Sequence, residues 1–193
     1  MTGVQTCALP ISLREENFYL TEGKRPVLQQ KLIGAASNNK IEDLTIIIDR
    51  SKESAAYGAQ IQNAVRELSS AMKGEGTLRI VCAGAVPATE YKGSPRAAEK
   101  FGINVLKTPV SAEVPLDLAL RLAANDLINA EAKRAVVFLS AGRVTQNAFK
   151  KYGLSELTAY FNNNSIAFSP VLLTQGAVDP EIAYLQRDRK SVV

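Results

Sequence analysis

The chain has 193 residues, a formal net charge of +4 and no histidine, which removes Ser-His-Asp and Cys-His catalysis and every histidine-ligated metal site. Residues 187–190 supply +2 of that charge, leaving +2 on residues 12–186; with no Lys/Arg run and no basic stripe interleaved with aromatics, this does not support a nucleic-acid partner. No apolar stretch approaches the roughly 20 residues of a membrane span.

In chain order, residues 1–11 (MTGVQTCALPI) come first, and together with 187–193 (RDRKSVV) they resemble translated sequencing-adapter DNA. Both ends are read as artefact and left out of the fold argument, so the chain is expected to be a fragment. Residues 1–11 also lack the basic start and long apolar run of a secretion signal. Residues 12–40 read as an N-terminal β-hairpin segment and connector: strands at 18–21 and 27–28 around the turn Glu22-Gly23-Lys24, then a polar link at 34–40. Residues 41–186 form the main domain, incomplete at its C-terminus.

Within that domain, Leu44-Thr45-Ile46-Ile47-Ile48 is an unalternating apolar run ending in Asp49, the mark of a strand buried on both faces. A helix is predicted over 54–73, with Ile61, Val65, Leu68 and Met72 at helical spacing and Gly74 and Gly76 stopping it. A second strand follows at 77–83 and contains Cys82, read as a small buried hydrophobe; Cys7 lies in the suspect end, so no disulfide is argued. A short helix is predicted at 94–101, capped by Ser94 with Pro95 in its first turn, and a short strand at 103–107. The clearest helix is 115–132, with Leu116, Ala119, Leu120, Ala123, Leu127 and Ile128 on one face. A strand at 135–139, a helix at 153–162, a strand at 166–173 interrupted by Pro170, and a short helix opening at Asp179 complete the series. This alternation predicts an α/β fold with a doubly wound, mostly parallel central sheet and helices on both faces. With the C-terminal helix truncated, an exposed apolar strip on the sheet and poor solubility are expected.

In open α/β sheets ligands bind beyond the carboxyl ends of the strands, where Asp49 and Ser51 fall. Asp49-Arg50-Ser51-Lys52-Glu53-Ser54 resembles the Asp-x-Ser-x-Ser metal loop of von Willebrand factor A (vWA) domains, with Glu53 where the second Ser should stand. Val114-Pro115-Leu116, Phe138-Leu139-Ser140-Ala141-Gly142 and Val178-Asp179-Pro180-Glu181 extend the resemblance over roughly residues 43–185. The order L-x-x-x-N-F-Y-L-T-E-x-K at 13–24 is similar to the segment preceding vWA domains in many bacterial proteins. The resemblance implies a vWA/Rossmann-like fold and a Mg²⁺ adhesion site, but here Val114 takes the position of a ligating Thr and Ala141 that of a ligating Asp.

Asp49, Ser51 and Glu53 remain as candidate metal ligands. Two or three oxygens are few for an ion that demands near-octahedral coordination, so the site is expected not to function with metal. A plainer role for these residues is helix capping. What the resemblance implies is a non-catalytic, metal-independent protein–protein interaction module of a larger bacterial protein, extracytoplasmic (periplasm or cell surface). Its partner is a protein, met through rim loops bearing Lys52, Tyr91, Asp117 and Arg143, and no cofactor is expected. Two alternatives stay open: a Mg²⁺-dependent adhesion domain using Asp49, Ser51 and Glu53, and a small-molecule or enzymatic site at the Asp49/Ser51/Asp117 rim. No phosphate-binding glycine loop supports an enzyme.

Overall fold

The apolar run at 44–48 becomes the middle of a sheet: seven of the eight residues of β3 (Glu42–Asp49) are buried, which a strand covered on both faces requires. A computed structural model describes residues 21–22, 25–26, 42–130 and 132–187. The chain divides into a unit at 1–40 and a unit at 41–193. In the first, β1 (Thr21–Glu22) and β2 (Arg25–Pro26) pair antiparallel. The strand residues predicted at 18–20 and 27–28, the connector, and the ends at 1–11 and 188–193 lie outside the described residues.

In the second unit the element order after β3 is α1 (Lys52–Ala55), α2 (Gly58–Ala71), β4 (Thr77–Ala83), β5 (Ala88–Gly93), α3 (Pro95–Ala98), α4 (Leu116–Leu127), β6 (Lys133–Ser140), α5 (Leu154–Asn163), β7 (Ile166–Leu172) and α6 (Pro180–Arg187). The sheet order is β5-β4-β3-β6-β7. All neighbours run parallel except β4 and β5. Alternate residues of each strand feed two cores. Ile47, Val81, Val136 and Phe138 pack with Leu120, Ala123 and Leu127 of α4, Leu157 and Phe161 of α5 and Ile182 of α6. Ile46, Ile48, Ile80 and Leu139 face Ile61 and Val65 of α2 and Ala98 of α3. Helices therefore cover both faces, as the strand–helix alternation predicts. Each fully buried Ile or Leu contributes about 1.5–3 kcal/mol by area.

Several elements differ from the sequence reading. The helix predicted at 54–73 is two: the Tyr57 N–H bonds the Ser54 carbonyl at 3.0 Å, closing α1 as a single turn before α2 begins. The strand predicted at 103–107 is a 3₁₀ turn at Ile103–Val105. The antiparallel edge strand β5 has no counterpart in the reading, because its half-exposed ATEYKG carries no apolar run. Pro170 does not interrupt β7. The Leu173 N–H donates to the Ser140 carbonyl, and stepping back by twos places the missing donor of Pro170 on the open edge, where a strand tolerates proline. Val171 of β7 and Tyr184 of α6 are exposed.

Cys82 is fully buried on β4. Burial, then the Glu90 carboxylate, pushes its thiol from 9.0 up to about 12, with Arg50 pulling the other way. A thiol with its folded pKa raised contributes stability that is present below 9.0 and is lost as pH rises towards about 12. Alkaline unfolding of Cys82→Ala is therefore expected to be less steep across that window than that of the wild type. Identical pH slopes would refute the assignment.

Candidate functional site

Asp49 sits at the carboxyl end of β3, 3% exposed, and its carboxylate gathers three hydroxyls. Oδ2 accepts from Ser51 Oγ at 3.0 Å, Ser54 Oγ at 2.6 Å and Ser140 Oγ at 2.9 Å, while Oδ1 accepts the Ser51 N–H at 2.8 Å. Each serine also accepts from a backbone N–H. Ser51 Oγ takes that of Ser54, Ser54 Oγ that of Ala141, and Ser140 Oγ that of Gly142. The negative charge is thus relayed to three amides, tying the loop after β3 to the loop after β6. Ser51 is also the side-chain cap of α1, so the capping role holds for it. Gly142 completes the turn at φ +84°, a conformation that β-carbon-bearing residues rarely adopt.

Ser54 and Ser140 were not among the expected site residues. Ser54 stands in the Asp-x-Ser-x-x-Ser spacing, one position beyond Glu53. Glu53 is exposed on α1, whereas Ser54, fully buried, donates its hydroxyl to the Asp49 carboxylate. Ser140 carries no local signal, since it meets Asp49 across 91 residues.

The remaining rim residues divide. Lys52 is exposed at the start of α1, and Arg143 is exposed and paired with Asp179 at 2.9 Å. Tyr91 is not on the rim; it lies opposite Ile80 in β5, packs on Phe101 at 5.7 Å and donates to the Ser94 carbonyl. Asp117 is 1% exposed. Its carboxylate accepts the N–H groups of Leu118, Lys151 and Tyr152 at 2.7, 2.6 and 2.9 Å, fastening the 148–152 loop to the start of α4. Both carboxylates of the Asp49/Ser51/Asp117 rim, the site of the small-molecule or enzymatic alternative, are thus engaged by internal donors.

The residues present do not fit a divalent metal. The space above Asp49 and Ser51 measures about 10 Å³ and is walled by Val114, Leu116, Phe138 and Val144 with Arg143 at its side. That is at most one water, whereas Mg²⁺ needs about six oxygens at near-octahedral angles and keeps several waters. Among the described residues no group of three or more His, Cys, Asp or Glu is placed to hold an ion. The nearby Val114 N–H and carbonyl are both closed by Thr145 Oγ1, at 2.9 and 3.0 Å.

Sheet order, helix placement and the position of Asp49 define a vWA-like α/β fold. Solved structures with this fold align over most of the chain. Zinc-occupied proximal thread matrix protein 1 from the mussel byssus matches with a TM-score of 0.60 at 11% identity, over 76% of this chain and 39% of that one. The manganese-loaded TRAP protein of Plasmodium vivax gives 0.58 at 16%, over 76% and 62%. BatB from Bacteroides thetaiotaomicron gives 0.56 at 12%, over 76% and 85%. The chain thus spans about two fifths of the mussel protein, and at these identities the likeness carries the fold. The sequence itself matches no family model and no curated protein.

Proposed function

We propose that this chain is a non-catalytic protein–protein interaction module, part of a larger bacterial protein, whose rim operates without a metal ion. The observation that carries this is the closed Asp49–Ser51–Ser54–Ser140 cluster beneath exposed loops. In the mussel and Plasmodium proteins a metal is bound; here hydroxyls and backbone amides supply the positive ends that a cation would offer. The rim it fixes presents Lys52 and Arg143 to solvent. Residues 13–24 resemble the segment that precedes vWA domains in exported bacterial proteins, which supports an extracytoplasmic setting; an alkaline phosphatase fusion that stays inactive would refute that part.

A ligand that binds the folded state raises Tm. Millimolar Mg²⁺ or Mn²⁺ is therefore expected to leave Tm unchanged, and a rise of several degrees reversed by EDTA would overturn metal independence. For the interaction itself, photoreactive residues at positions 52 and 143 should crosslink one discrete protein in extracts of the source cells. Positions 73 and 75, at the opposite end of the sheet, should not. Equal crosslinking from both ends would defeat the reading.

A further inference from the structure

Beside the Asp49 cluster, and separate from it, a cleft of about 500 Å³ opens between the start of α4 and the loop at 147–151. It is lined by the apolar Val114, Pro115 and Leu118 and by Glu113, Asp117, Lys150 and Lys151. Both lysines are exposed, and among the described residues no ion pair engages either. Their backbone is held in place. The Asp117 N–H donates to the Ala148 carbonyl at 2.8 Å while the Asp117 carboxylate takes the N–H groups of Lys151 and Tyr152. One helical turn along α4, the Arg121 guanidinium stacks 3.5 Å from the Tyr160 ring and 5.4 Å from that of Tyr152. Among the described residues this is a third cation without a carboxylate partner, on the kind of aromatic–arginine platform that dominates protein interfaces. The Asp117 charge is spent on three amides, so Glu113 is the solvent-facing carboxylate in the cleft.

We propose that this cleft is the docking site of the module, and that its occupant is an acidic segment of a partner protein. A carboxylate of the segment sits between Lys150 and Lys151, and an apolar neighbour lies on Val114, Pro115 and Leu118. The proposal rests on the interaction-module reading and names its partner's chemistry. Charge complementarity argues for it: two unpaired ammonium groups lie at the positive end of α4. Preorganisation lowers the cost of docking, because the loop bearing the lysines is already bonded down. Glu113, exposed in the same cleft, repels an acidic group and so favours its pairing with the lysines.

The test uses the full chain, ¹⁵N-labelled, titrated with a capped peptide alternating Glu and Leu and with its Gln-for-Glu counterpart. Expected are amide shifts at 113–118 and 147–152 with the Glu peptide alone, weakening as salt is raised. The double variant Lys150→Glu/Lys151→Glu should bind at least about tenfold more weakly with Tm unchanged, and Glu113→Gln several-fold more tightly. Equal binding of the Gln peptide, shifts centred on Lys52 and Arg143, no binding of either peptide, or indifference to the lysine variants would each overturn the proposal. The crosslinks from positions 52 and 143 keep the two readings apart. If they persist while the peptide ignores the cleft, the module reading stands and this site falls; if no protein crosslinks, the module reading falls and this site falls with it.

Discussion

Replacing Asp49 by alanine is expected to cost about 3–5 kcal/mol of folding stability, the range for removing one partner of a buried charged network. The carboxylate is the shared acceptor for three hydroxyls and one amide. Deleting it leaves those donors in a pocket where Ser54 and Ser140 are fully buried. Each buried donor stranded in this way costs about 1–3 kcal/mol, and the hydroxyls can recover only part by turning towards one another. Asp49→Asn keeps the shape but aims an amide donor at hydroxyls that already donate, so it should lie close to the alanine variant. Ser54→Ala removes one spoke and should cost about 1–2 kcal/mol. The single losses from Ser54 and Ser140 should not add to that of Asp49, since they share an acceptor. Urea unfolding of the four variants decides it, and an Asp49→Ala protein within about 1 kcal/mol of wild type would mean the cluster is not what joins the two loops.

The second large effect has opposite signs for two partners. Arg79, 5% exposed on β4, reaches Asp43 at 3.6 Å through Nη2, while among the described residues its Nε and Nη1 find no hydrogen-bond partner, nor does the hydroxyl of its register neighbour Thr45. A buried guanidinium so thinly compensated retains much of its desolvation cost. Arg79→Met, similar in volume and apolar, is expected to stabilise the domain by about 1–4 kcal/mol. Asp43→Ala does the reverse: it strands the guanidinium and also removes the acceptor of the Thr77 N–H, held at 2.8 Å. A loss of about 3–5 kcal/mol is expected. Differential scanning calorimetry reads both, and a lower Tm for Arg79→Met would show that this arginine contributes more than its bonds account for.

What the sequence made legible follows from range. β3, β4 and β6 announce themselves because burial on both faces forces mostly apolar runs, broken in β4 by Arg79, and α4 because its small and large apolar residues keep helical spacing. Strand β5 hides because an antiparallel edge strand needs no apolar run, so Thr89, Glu90 and Lys92 read as loop. Asp49 and Ser51 were visible as a local pattern. Local spacing points to Glu53 rather than Ser54 because the comparison motif sets its second hydroxyl two positions after the first, whereas the turn of α1 here brings round the third. Ser140 lies 91 residues from Asp49, and the Lys151 and Tyr152 amides lie 34 and 35 residues from Asp117, and nothing in local spacing encodes them. That is also why Asp117 read as a rim carboxylate when it is an internal fastening.

The two outer strands of the sheet bear on how copies of this protein meet one another. An open strand offers the same ladder of donors and acceptors on every molecule, and two such ladders can zip together. On β7 the ladder is broken at Pro170, so a second β7 laid alongside would find a gap where a donor should be. At the other edge, the pairing of β5 with β4 slips between Ile80 and Val81, and a bulge of this kind twists an edge out of the plane that stacking needs. Both margins of the sheet are therefore poor templates for edge-to-edge growth, whatever apolar surface lies on its faces.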